Sequence, residues 1–283
     1  MPKWCCYIAS FALLLAMDSC KPHKDNRVDE LDVDTIWAEP VLEDTLSLVE
    51  KEIEVAEESA RFDRNFDDFM YVFMRSRNLQ QQRVGNPLLY VDANGDTLQL
   101  HDSSNWKDEF AFLDNEYYTV LYGQYDQMES VKDMNADSVQ VERVDLDNQT
   151  IKVYSFVRHE GRWKLTMMED VAFLETGISD FLHFYSGFSS DSIAQQESIA
   201  RTLRISILDP EDDSVMDGTI DASQWSSFCS DVPGGVISNI RYGQLYDDPN
   251  QMILQKRGIS HEMQEVFVFG KQNGCWKLTA YEN

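Results

Sequence analysis

The chain has 283 residues, of which 43% are apolar and 12% aromatic, material enough for the cores of two ordinary domains. Its 24 basic and 50 acidic residues leave a formal charge of -26. Nucleic acid and anionic lipid headgroups are disfavoured as partners, because the field of the protein repels both, and the same charge keeps the chain soluble.

The chain begins MPKWCCYIASFALLLAMDSC, with Lys3 ahead of an apolar run from Tyr7 to Met17. Eleven residues are too few to span a bilayer, which takes about 20, but they match the apolar centre of a secretory signal. The end of the run, Met17-Asp18-Ser19-Cys20, resembles the lipobox of bacterial lipoproteins. That resemblance implies removal of residues 1–19 and a lipid on Cys20. The product would be exported and held in the cell envelope, in the outer membrane, by its anchor alone. Ordinary secretion with cleavage near Ser19 is the alternative.

Of the five cysteines, Cys5 and Cys6 leave with the signal and Cys20 takes the lipid, so Cys229 and Cys275 remain. Strand alternation turns Cys275 away from the face of its neighbour Trp276. A helix carrying Cys229 is expected on that Trp276 face, which argues against a disulfide.

Residues 20–44 are polar, acidic and punctuated by Pro22 and Pro40, the composition of a flexible tether. Leu46, Val49, Ile53, Ala56 and Ala60 then recur at helical spacing among glutamates, predicting a solvated amphipathic helix.

From there the sequence corresponds to itself. FDDFMYVF (66–73) matches ISDFLHFY (178–185), SSNWKDEF (103–110) matches ASQWSSFC (222–229), and YGQ recurs at 122–124 and 242–244. GRWKLTMMED (161–170) matches GCWKLTAYEN (274–283). The offsets are 112, 119, 120 and 113 residues in chain order, so the unit is domain-sized rather than a short solenoid repeat. The expected division is 45–170 and 171–283.

Each copy opens on an apolar helix, Phe62, Phe66, Phe69 and Phe73 in one and Leu174, Ile178, Phe181 and Tyr185 in the other. A second helix follows, with a capping-box pattern at Ser192 and Gln195. A hairpin comes next, turning at Asn94-Gly95 in LLYVDANGDTLQL, then a short helix with Trp106 or Trp225. Four strands close the first copy, EYYTVLYGQ, SVQVERVDL, IKVYSFVRH and RWKLTMM. The second closes on VISNIRYGQ, MILQKR, EVFVFG and CWKLTAY, with a last turn at Asn273-Gly274.

Helices early and antiparallel strands late define an α+β class. This order resembles the nuclear-transport-factor-2-like, cystatin-like superfamily, in which a curved antiparallel sheet wraps helices into a half-open cone. With the lipobox, the acidic tether and the twin W-K-L-T strands, the chain resembles uncharacterised Bacteroidetes lipoproteins with tandem domains of that kind. The resemblance implies fold far more than activity.

Alternation predicts Trp163, Leu165 and Met167, and likewise Trp276, Leu278 and Ala280, on a core face, with Lys164, Thr166, Lys277 and Thr279 opposite. Tyr122 with Gln124, and Tyr242 with Gln244, share a face, and with Trp106 and Trp225 they could line a pocket or simply fill an aromatic core. Enzymes of the superfamily place Asp, His or Tyr inside the cone. Here His101 and His159 of one copy do not correspond to His183 and His261 of the other. His183, in the place of Tyr71 on the first helix of the second copy, could join a pocket or be a satisfied core or boundary histidine. Asp68 and Asp180 read as structural.

Phosphate-loop, triad, paired-CxxC and HExxH patterns are absent. Asp92-Ala-Asn94-Gly-Asp96 begins like a calcium loop but lacks its glycine and final glutamate, so neither a metal nor a cofactor is expected. Asp-Thr-apolar sequences at Thr35 and Thr45 resemble O-glycosylation acceptors of exported Bacteroidetes proteins, although caps and turns favour the same pairs.

Three functions fit these residues. One is a non-enzymatic envelope lipoprotein binding a small molecule, peptide or envelope protein. The second is an acid–base enzyme of isomerase, dehydratase or hydrolase type in one cone. The third is a structural or assembly role through the sheet surfaces.

Overall fold

The computed structural model describes residues 61–101, 116–133, 136–209, 214–228, 231–259 and 264–283. The leading amphipathic helix, Cys20, Thr35, Thr45, Trp106 and Cys229 lie outside them. Helix α1 (Phe66–Arg75) starts where Asn65 accepts a hydrogen bond from the Asp68 amide at 2.7 Å, and it buries Phe66, Phe69, Met70, Phe73 and Met74. Helix α2 (Arg77–Arg83) leads into the hairpin β1 (Val84–Val91) and β2 (Thr97–Leu100), whose turn uses Gly95 at φ +84°.

Strand β3 (Tyr117–Tyr122) is followed by helix α3 (Tyr125–Asp133), then by β4 (Ser138–Asp145), β5 (Thr150–His159) and β6 (Arg162–Ala172). Helix α3 has no counterpart in the sequence expectation, because its mixed polar sequence carries no apolar stripe. Asp170 and Val171, where the two copies were expected to meet, are consecutive residues of β6.

Next come α4 (Ser179–Ser190) and α5 (Ser192–Glu197), β7 (Ile199–Leu208) and β8 (Val215–Asp221), and a 3-10 turn at Ala222–Ser227. The chain closes with β9 (Val236–Arg241), β10 (Gln251–Gly258), β11 (Gln264–Gln272) and β12 (Cys275–Glu282). The α5 cap is Asp191 rather than Ser192, its carboxylate accepting from the Ile193 and Ala194 amides. Gln195 points inward and accepts from the Trp225 indole at 3.2 Å.

The twelve strands of the described residues form one sheet, in the order β2-β1-β6-β5-β4-β9-β3-β10-β11-β12-β7-β8. Exchanging each of the first six strands with the strand six places later reproduces this order read backwards. The centre is crossed over: β3 pairs with β10, β9 pairs with β4, and β3 lies parallel to β9.

Two hydrophobic clusters cover opposite faces. Trp163 and Leu165 belong to the first, packed on α1, and Trp276 and Leu278 to the second, packed on α4. Neighbours on one strand divide between them, Val120 and Tyr122 joining the first and Leu121 the second.

The shared W-K-L-T strand explains a departure from simple alternation. In β6, Phe156 faces Leu165 while Ser155 faces Met167, so Thr166 is an extra residue; Thr279 is the same in β12. A bulge of this kind moves every later side chain to the other face. Met168 is therefore buried where Met167 was expected, and Ala280 joins the first cluster while Tyr281 joins the second. Each bulge threonine donates its hydroxyl to a strand carbonyl, Thr166 to Ser155 at 3.1 Å and Thr279 to Val268 at 3.0 Å. That bond gives the shared threonine its role.

Candidate functional site

The central seam gathers buried polar side chains, Thr119, Glu142, Ser238, Asn239 and Gln244. Backbone pairing between β3 and β9 is confined to Thr119 opposite Asn239, and side chains supply further bonds. Asn239 accepts from the Leu121 amide at 3.1 Å and donates to Glu142 at 2.7 Å. Thr119 donates to the Ser238 carbonyl. Gln244 accepts from the Tyr242 amide at 2.7 Å and donates to the Leu121 and Ile240 carbonyls.

The two YGQ copies are not equivalent in space. Starting from Leu165 and Leu278, cross-strand partners lead through Phe156 to Val139 and through Phe269 to Met252. One residue further, Gln140 faces Arg241 and Ile253 faces Tyr122. Tyr122 thus corresponds to Arg241, not to Tyr242. This one-residue slip brings Tyr122 and Tyr242 into the same cluster.

There Tyr242 and Tyr118 both donate their phenols to Asp67 of α1, Tyr118 at 3.3 Å, and Arg257 stands 4.0 Å from the same carboxylate. Tyr122 donates to Gln255 at 3.0 Å. Burial, and then the Asp67 charge, push the Tyr118 and Tyr242 phenols far above their ordinary value. Burial pushes Tyr122 up to about 12. Beside Asp67 a cavity of about 20 Å³, lined by Met70, Tyr71, Met74 and Ile240, has room for about one water.

Of the other sequence candidates, Trp225 is buried in the second cluster, edge-on to Tyr281 at 5.2 Å. Gln124 is exposed beyond the end of β3. His183 is exposed on α4, its ring 5.7 Å from Phe173. Asp180 accepts from the Trp276 indole at 3.0 Å and pairs with Lys271 at 2.6 Å; these bonds, the lysine's first, hold its carboxyl below the usual range. Cys275 is exposed as a free thiol. Among the described residues no cluster of three or more His, Cys, Asp or Glu could hold a metal, and no helix is long and apolar enough to cross a membrane.

A larger space lies away from all of these candidates. On the face of β12, β7 and β8 turned away from α4, a groove of about 540 Å³ runs beneath Tyr125 of α3. Register sets its floor in two rows, Ala280-Arg204-Thr219 and Glu282-Ser206-Asp217. Tyr125 donates its hydroxyl to Glu282 at 2.8 Å, fixing one wall. Arg204 is exposed and makes no ion pair with a described residue. Sequence could not reveal this site, because α3 carries no periodic signal and the floor depends on the bulge at Thr279.

The architecture is a mixed α+β fold with a large curved sheet and few helices, similar to a nuclear-transport-factor-2-like protein from Bacteroides fragilis NCTC 9343. That crystal structure shares 34% sequence identity at a TM-score of 0.72, over 78% of this chain and 96% of its own. Residues 45–283 match the family described as "Domain of unknown function (DUF4348)", and the chain belongs to that family. No curated protein matches.

Proposed function

We propose that this is a non-enzymatic protein of the cell envelope, anchored by lipid on Cys20, that binds a small molecule, peptide or envelope protein in the groove beneath Tyr125. One observation carries the reading. The two interiors are filled by the protein's own aromatic side chains, whereas the groove is open and holds about 540 Å³, within the usual range of ligand sites. The Met17-Asp18-Ser19-Cys20 sequence supports the anchor. The internal sequence match and the mirrored strand order support an origin from two tandem cone domains, 45–170 and 171–283.

The test is a small-molecule and peptide library screened by NMR against the full chain, with shift changes mapped onto the sequence. Binding centred on Arg204, Asp217 and Glu282 supports the reading. Binding centred elsewhere defeats it. The convergence of Tyr118 and Tyr242 on Asp67 favours a second reading, an acid–base site that would need Met70, Met74 and Tyr71 to move aside. Shifts confined to those residues would select it.

A further inference from the structure

We infer that the groove recognises a neutral saccharide; this rests on the groove being the binding site. The argument starts from charge. Arg204 brings one positive charge, while Asp217 and Glu282 bring two negative ones, all on neighbouring positions of the same sheet face. An anion drawn to Arg204 meets both carboxylates, and a cation drawn to the carboxylates meets Arg204.

A neutral ligand rich in hydroxyl groups avoids both conflicts, because each hydroxyl donates and accepts. It can give hydrogens to Asp217 and Glu282, take them from Arg204, and do either with Ser206 and Thr219. An apolar ligand would strip water from all of these groups without replacing their bonds.

Tyr125 supplies the remaining element. The residue, 40% exposed, stands at the groove wall, and its hydroxyl is tied to Glu282. The ring is thus held in one orientation before any ligand arrives, and its negative face suits the slightly positive C–H edge of a sugar ring. Little ordering is left to do on binding.

Calorimetric titration of the full chain with maltotriose, cellotriose, xylotriose and diacetylchitobiose tests this, with tricarballylate and spermidine as charged probes. Arg204→Ala, Asp217→Ala and Tyr125→Leu are measured alongside, with thermal midpoints confirming that each is folded. At least one saccharide is expected to bind in the millimolar range or tighter. Each substitution should weaken it by about tenfold, the loss of one charge-assisted bond or of the stacking wall. A charged probe that binds in a substitution-sensitive way while every saccharide fails overturns the saccharide and leaves the groove standing. Saccharide binding insensitive to all three substitutions, or no binding by any probe, overturns both.

Discussion

Gly123→Ala probes the crossing at the centre of the sheet. Beyond Tyr122 the chain leaves β3 to reach β4, and beyond Arg241 it leaves β9 to reach β10, so the two connections pass each other. At the crossing, Gln127 donates to the Leu245 carbonyl at 2.8 Å and Gln251 donates to the Gly123 carbonyl at 3.2 Å. A Cβ at position 123 would stand 2.9 Å from the Leu245 carbonyl oxygen, 3.3 Å from the Tyr246 Cα and 3.5 Å from the Asp247 nitrogen. The nearest atoms are backbone, so no side chain can rotate away.

Overpacking of this kind costs about 1–3 kcal/mol. For a body of this size each kcal/mol lowers the midpoint by about 2–4 °C, so Gly123→Ala should melt roughly 2–12 °C below wild type. Gly187 in α4 is the control, since nothing lies within 4 Å of an added Cβ there. Gly187→Ala should raise stability by about 0.4–1 kcal/mol through helix propensity and a less free unfolded chain. Urea unfolding of both variants beside wild type decides the matter. A Gly123→Ala protein as stable as wild type would refute the close backbone crossing.

Asp63→Ala should cost about 3–5 kcal/mol in urea unfolding, because it removes a bidentate carboxylate from buried Arg83 and an acceptor from the Trp163 amide. That pair is bidentate at 2.8 and 3.2 Å, and Asp63 also accepts from the Trp163 amide. A loss under 1 kcal/mol would show that this ion pair is worth no more than a surface one. The raised phenols predict alkaline behaviour as well: groups whose folded pKa lies above the unfolded value stabilise fully below about pH 10, and that contribution fades as pH rises through the folded values. Near-ultraviolet titration should therefore show some of the 12 tyrosines ionising only as the protein unfolds, and Tyr242→Phe should shift that unfolding to higher pH. Ionisation of every tyrosine along the ordinary curve in the folded protein would contradict their burial.

Local chemistry was legible in the sequence. The apolar spacing of Phe66, Phe69 and Phe73 placed α1, Asn273-Gly274 placed the last turn, and Trp276 was assigned inward with Cys275 outward. These depend on neighbours within a few residues, where period and turn preference carry the information. The bulge did not announce itself, since Thr166 and Thr279 fit an alternating strand as well as an inserted one.

The partner of β3 was equally hidden. A strand's period says which side chains share a face and nothing about which strand lies beside it. Tertiary packing alone sent β3 to β10 and β9 to β4, and it brought Tyr118, Tyr242 and Asp67 together from positions up to 175 residues apart. The groove beneath Tyr125 also belongs to this second kind of information. Its wall and floor come from α3, β7, β8 and β12, and only the folded sheet sets Tyr125 against Glu282, because nothing local in either segment requires the other.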